Sequence, residues 1–174
     1  MDQASIRRVQ VLEMIKGSEV ALSASFIAKA LGVSRQVIVG DVALLRAEGY
    51  QIIATARGYL SEIAEKNNNY VRKIACQHTP DQTKNELYLL VDHGVHVKDV
   101  IIEHEVYGEL TGSLGLASRR DVDLFMQRLE KAGMGLLSEL TGGIHLHTIS
   151  CKSQVHFDEV MLVMSQAGFL VNEK

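Results

Sequence analysis

Tryptophan is absent, proline occurs once at Pro80, and cysteine occurs twice, at Cys76 and Cys151. Two thiols are too few for a disulfide scaffold and suit a reducing compartment. No apolar run approaches the roughly 20 residues a bilayer crossing requires. The opening stretch MDQASIRRVQVLEMIKG mixes charged and apolar residues and lacks the pattern of a secretory signal, so the cytoplasm is the expected location. No Gly-x-Gly-x-x-Gly turn is present, which argues against a nucleotide-binding Rossmann unit. Positive charge is in short supply as well. Eighteen Lys and Arg stand against 21 Asp and Glu, a net charge of −3 that, taken whole, argues against a nucleic-acid partner.

The average conceals a division. Residues 1–60 carry seven basic against five acidic side chains, whereas the remainder carries eleven against sixteen. All seven histidines lie beyond residue 77. The polar run Glu65-Lys66-Asn67-Asn68-Asn69 favours turns over helix or strand. The expected organisation is therefore a head over 1–64, a linker over 65–70 and a body over 71–174.

The head reads as three helices and a hairpin. Ser5 can cap a first helix with Ile6, Val9, Leu12 and Ile15 inward, ended by Gly17. Ser23 caps a second with Phe26, Ile27, Ala30 and Leu31 inward. Gly32-Val33-Ser34 then forms a tight turn into a third helix over Arg35–Glu48, with Val37, Ile38, Asp41, Val42 and Leu45 along its inner side. Two short strands, Tyr50–Ile53 and Tyr59–Leu60, would follow around a loop at Ala54–Gly58. Two helices joined by a short glycine-containing turn make a helix-turn-helix, and the hairpin supplies a wing. Ser34, Arg35, Gln36, Val39 and Arg46 are the candidate DNA contacts on the third helix, and Arg57 is the candidate at the wing tip. Small Gly40 and Ala43 on that side let the helix approach DNA closely. A three-helix bundle serving only as scaffold is the competing reading. The run ALSASFIAKALGVSRQVIVGDVALLRAEGYQIIATARGYL resembles the winged helix of biotin-operon repressors and metabolite-responsive bacterial regulators; Gly40 departs from the longer polar side chain common there.

In the body, a strand over Val71–Gln77 leads to a helix over Pro80–His93, capped by Thr79, with Thr83, Leu87, Leu90 and Val91 buried and Glu86 on the flank. A strand or strand pair through Val95–Gly108, a Gly-rich loop Thr111–Gly115, a helix capped by Ser118 and a strand Ile144–Cys151 follow. A last helix capped by Ser153 and the short strand Phe169-Leu170-Val171 complete an antiparallel or mixed sheet with helices on one face. His145 and His147, two apart in a strand, emerge on the same face. Pairing the first and fourth strands of the body brings His78 and Glu86 to them. Three imidazoles and a carboxylate suit zinc, nickel, iron or cobalt. Alternating histidines also occur as hydrogen-bonded strand residues, and Cys76 and Cys151 fit small core positions.

His78, Glu86, VIIEHEVYGEL and GGIHLHTIS, behind a winged helix, closely resemble the three-histidine regulatory domain of niacin-responsive transcriptional repressors. The resemblance spans essentially the whole chain. It implies an α+β protein in which an HPr-like open-faced sandwich (βαββαβ) follows the winged helix, and it implies a homodimer. It further implies one metal ion held by His78, Glu86, His145 and His147. Nicotinic acid would be the corepressor for operators of NAD-biosynthesis or niacin-uptake genes. His104 and Tyr107 are candidate effector contacts. A regulator in which the ion itself is the signal is the alternative. No second acid–base pair with supporting spacing is present, so catalysis is not expected.

Overall fold

The computed structural model describes residues 2–62 and 70–172. The chain divides into two compact units, residues 1–67 and 68–174. The expected linker falls outside the described residues except for Tyr70, which already begins a strand. No helix among the described residues is long and apolar enough to cross a membrane.

The first unit contains α1 (Gln3–Lys16), α2 (Ala24–Leu31), α3 (Arg35–Ala47), β1 (Ile52–Thr55) and β2 (Gly58–Ser61). Val11, Ile15, Ile27, Ile38, Val42, Leu45 and Ile52 form its core. Gly32 takes φ 67°, which only glycine adopts cheaply, and Ser34 accepts the Val37 amide to start α3. The strands pair antiparallel around the two-residue turn Ala56-Arg57.

Several inward assignments are corrected. Asp2, not Ser5, caps α1, accepting the Ser5 amide, and the helix rotates accordingly: Ile6 and Val9 are about half exposed while Val11 and Ile15 are buried. Phe26, Ala30 and Val37 are likewise outward, and Ala24 and Ala28 face the core. Asp41 is inward as expected, and its burial is satisfied by Arg7 of α1, whose Nε and Nη2 donate to its carboxylate at 2.6 and 3.1 Å.

The second unit runs β3 (Tyr70–Gln77), α4 (Thr83–Asp92), β4 (His96–His104), β5 (Gly108–Leu116), α5 (Arg119–Ala132), β6 (Ile144–Cys151) and α6 (Gln154–Gln166), so the β-α-β-β-α-β order is present. Its sheet has the order β3-β6-β4-β5 and every pairing is antiparallel. Leu87, Leu90 and Val91 of α4, Val122 of α5, and Val160 and Met164 of α6 pack into one core with Ile74, Val97, Leu116 and Ile149 of the sheet. On β3, the alternate residues Val71, Lys73, Ala75 and Gln77 are exposed, leaving that side of the sandwich open. The apolar segment Phe169–Val171, expected as a short strand, makes an isolated antiparallel bridge to β3, Leu170 opposite Cys76.

Two corrections concern elements. Thr111–Gly115 is not a loop but the middle of β5, opposite β4; the turn between them is residues 105–107. Pro80–Gln82 forms a separate 3-10 turn before α4.

Candidate metal centre

Four side chains from three elements converge beneath the sheet. His145 and His147 stand on the central strand β6, opposite Cys76 and Ile74 of β3, and project into the layer covered by α4. His78 follows the end of β3. Gly143 makes that approach possible: at φ 91° a Cβ there would lie 2.3 Å from the His78 carbonyl oxygen. Thr79 then turns the chain, the Gln82 side chain accepting its amide and hydroxyl at 3.1 Å each, and α4 delivers Glu86. Glu86 is therefore not on the flank of α4 but fully buried within its inner stripe, 0% exposed.

All three histidines are oriented alike. The Nδ1–H groups of His78, His145 and His147 donate to the carbonyls of Thr79, Gly143 and Asp99, at 2.9, 2.8 and 2.7 Å. A carbonyl only accepts, so each Nδ1 carries the proton. Each Nε2 is turned to Glu86, at 2.5, 3.2 and 3.2 Å respectively. A neutral Nε2 of this tautomer offers only a lone pair, and a carboxylate offers only lone pairs. The cluster is thus acceptor facing acceptor unless protons or a cation lie between them. Nε2 of His147 shows the mismatch directly: it is buried near Glu86 yet has no hydrogen-bond partner among the described residues.

With no metal bound, protons on the imidazoles take that place. Burial on its own would push the Glu86 carboxyl up, but the charge of His147 and the contacts from His145, His147 and His78 outweigh it and hold the group well below its ordinary value. Burial works to lower His78 and His147, and the Glu86 carboxylate reverses this and raises both. The donor atoms of Cys76, Glu86 and His145 lie within 4.8 Å of one another. Burial and the adjacent carboxylate push the Cys76 thiol far up, so without a metal it stays protonated beside the histidines. The set of imidazole nitrogens and one carboxylate fits a borderline divalent ion. Two cavities border it, one of about 370 Å³ lined by His78, Thr79, Gln82 and Glu139, the other of about 430 Å³ lined by Ile101, Glu103, Ile144 and His145.

His104 and Tyr107 line neither cavity; their rings lie 5.1 Å apart in the β4–β5 turn, where His104 Nδ1 accepts the amides of Val106 and Tyr107. The orienting carbonyls of Thr79, Gly143 and Asp99 escaped sequence reading because a backbone acceptor leaves no trace in residue identity. In the first unit, Arg35, Gln36 and Arg46 are exposed on α3 and Arg57 is exposed at the wing tip; Ser34 is the α3 cap, and Val39 is half-buried against the core.

A helix-turn-helix family, the HTH domain, matches residues 7–60, and the 3H domain family matches residues 71–173. The chain is 41% identical over 169 residues to "Transcription repressor NadR" of Bacillus subtilis (strain 168), covering 96% of this chain and 94% of that protein. The chain belongs to the NadR/NiaR-type transcription repressor family. "Probable transcription repressor NiaR" of Thermotoga maritima is a second member, 38% identical over 167 residues with 96% and 94% coverage. These NadR/NiaR relatives are repressors, not enzymes.

Proposed function

We propose that the protein is a DNA-binding repressor whose second unit holds one divalent metal ion through His78, Glu86, His145 and His147 and responds to nicotinic acid as corepressor. The DNA-binding part rests on the helix-turn-helix match over 7–60. The metal part rests on one observation above the rest: three Nε2 lone pairs aimed at a buried carboxylate. The ion would supply a positive charge there and an open position for a carboxylate or pyridine nitrogen, both of which nicotinic acid carries. The cavities beside His78 and His145 are the candidate entries.

Ser34, Arg35, Gln36, Val39 and Arg46 of α3, with Arg57 of the wing, are the proposed operator contacts. In a homodimer, the two α3 helices would reach successive major-groove faces about 34 Å apart. Effector binding then shifts operator affinity only as far as it favours one subunit arrangement over another. Genes of NAD biosynthesis or niacin uptake are the proposed targets.

The nearly complete burial of the four donors, 0% to 8% exposed, favours a second reading in which the ion itself is the signal. Titrating labelled operator with metal-loaded protein, with and without nicotinic acid, separates the two. Corepression predicts that nicotinic acid tightens binding at fixed metal. Binding that follows metal alone and ignores nicotinic acid supports the second reading and sinks the first.

A further inference from the structure

Two exposed patches of opposite charge lie on the second unit outside the histidine cluster itself, although Glu103 and Glu109 of the acidic one also line the cavity beside His145. At the β4–β5 turn, Val106 and Tyr107 are 79% and 74% exposed. Glu103, Glu105 and Glu109 rim them, all exposed, and no Lys or Arg occurs from Asp99 through Ser118. The turn is held in shape by the His104 ring, which accepts the Val106 and Tyr107 amides at 3.1 and 3.2 Å. Little ordering would therefore be needed for it to dock.

The counterpart is on α5. At about 100° per residue, Arg120, Leu124, Gln127, Arg128 and Lys131 share one sector of the helix, and the charged members span about 16 Å. All five are exposed, Leu124 by 48%. Of the three acids of α5, Asp123 is engaged by Tyr88 and Lys84, Asp121 is buried, and the exposed Glu130 lies outside that sector, about 60° beyond Gln127. Among the described residues, no ion pair engages Arg120, Arg128 or Lys131, nor Glu103, Glu105 or Glu109. An apolar centre within a charged rim is the anatomy of a protein interface, with an aromatic side chain as anchor. Here one chain carries both halves of a complementary pair.

We infer that the acidic β4–β5 turn of one copy seats on the basic face of α5 in a second copy, and that a two-fold axis makes this contact twice. Tyr107 and Val106 pack against Leu124, and the three carboxylates meet the three cations. A self-complementary contact of this kind closes as a dimer. The inference rests on the dimer reading above and names its surface.

Sedimentation equilibrium of the full chain tests it with two double variants. Glu105→Arg with Glu109→Arg makes turn and helix both basic; Arg120→Glu with Arg128→Glu makes both acidic. All four positions are exposed, and circular dichroism checks that each variant keeps its fold. The wild type is expected to be a dimer that weakens as NaCl rises from about 50 to about 500 mM. Each variant alone should self-associate at least about tenfold more weakly. Mixed in equal amounts they should regain a dimer, because both contacts then join opposite charges. A monomeric wild type overturns the inference together with the dimer reading. A dimeric wild type whose variants dimerise equally well, or whose variants fail to complement, overturns the surface alone. Mass growing beyond the dimer overturns two-fold closure.

Discussion

Glu86 is a carboxylate with no access to water, and burial alone would keep it neutral. The imidazoles around it reverse that preference, and the same geometry makes the site sensitive to pH in opposite senses with and without metal. In metal-free protein, the Glu86 carboxyl is held below its ordinary 4.5, so its contribution to stability is present above that value and is lost as pH falls toward its lowered one. His78 and His147 are raised above 6.5, so theirs is complete below 6.5 and is lost as pH rises through their raised values. The windows overlap between 4.5 and 6.5. Thermal melts in chelator should show the highest Tm there and a decline on the alkaline side. Metal binding requires neutral imidazoles, so metal affinity should rise over that alkaline range. Replacing Glu86→Gln keeps the shape but removes the charge. Elemental analysis after dialysis should show metal content falling at least about tenfold, whereas retained metal would exclude Glu86 from the site.

At the scale of elements, Gly40 and Gly143 are opposite cases. Gly40 sits within α3 with nothing within 4 Å of where a Cβ would be. Gly40→Ala should stabilise the first unit by about 0.5–1 kcal/mol, read as a raised denaturation midpoint. Gly143→Ala meets the His78 carbonyl and an unfavourable φ together. It should cost roughly 1–3 kcal/mol and lower metal retention as well, because His78 moves. A stability loss with metal retention unchanged would show that Gly143 serves the fold and not the site.

The elements also show what was legible in the residues and why. The Gly32–Ser34 turn and the caps Ser23, Ser118 and Ser153 were readable because their partners lie three residues away. The α1 register was not. Asp2 and Ser5 are both good caps three residues apart, and the apolar positions Ile6, Val9, Val11, Leu12 and Ile15 serve more than one face; packing against α2 and α3 makes the choice. The glycines and small polar residues of β5 signal a loop locally. Pairing with β4 overrides that signal, with the positive φ of Gly115 beside the register shift opposite Val97 and Asp99.

At the scale of the whole molecule, the net charge of −3 averages a mildly basic head and an acidic body. So modest a basic surface should give weak non-specific DNA binding and a shallow salt dependence. Replacing Arg35→Ala should reduce operator affinity about 5- to 150-fold, corresponding to about 1–3 kcal/mol, if the side chain reads a base edge. Arg57→Ala should weaken operator and random DNA alike and flatten the salt slope, as loss of a phosphate contact does. Fluorescence anisotropy on both DNAs at several salt concentrations distinguishes these outcomes.

The sequence by itself determined the helix-turn-helix and the strand carrying His145 and His147 on one face. Those features follow from short-range rules of capping, turn chemistry and the two-residue period of a strand. Only the tertiary structure decided that Glu86 is buried, that each Nδ1 finds a carbonyl, and that three Nε2 lone pairs converge on that carboxylate. Those facts depend on where β3, α4 and β6 stand relative to one another in space, and packing, not any residue's own preference, sets those positions.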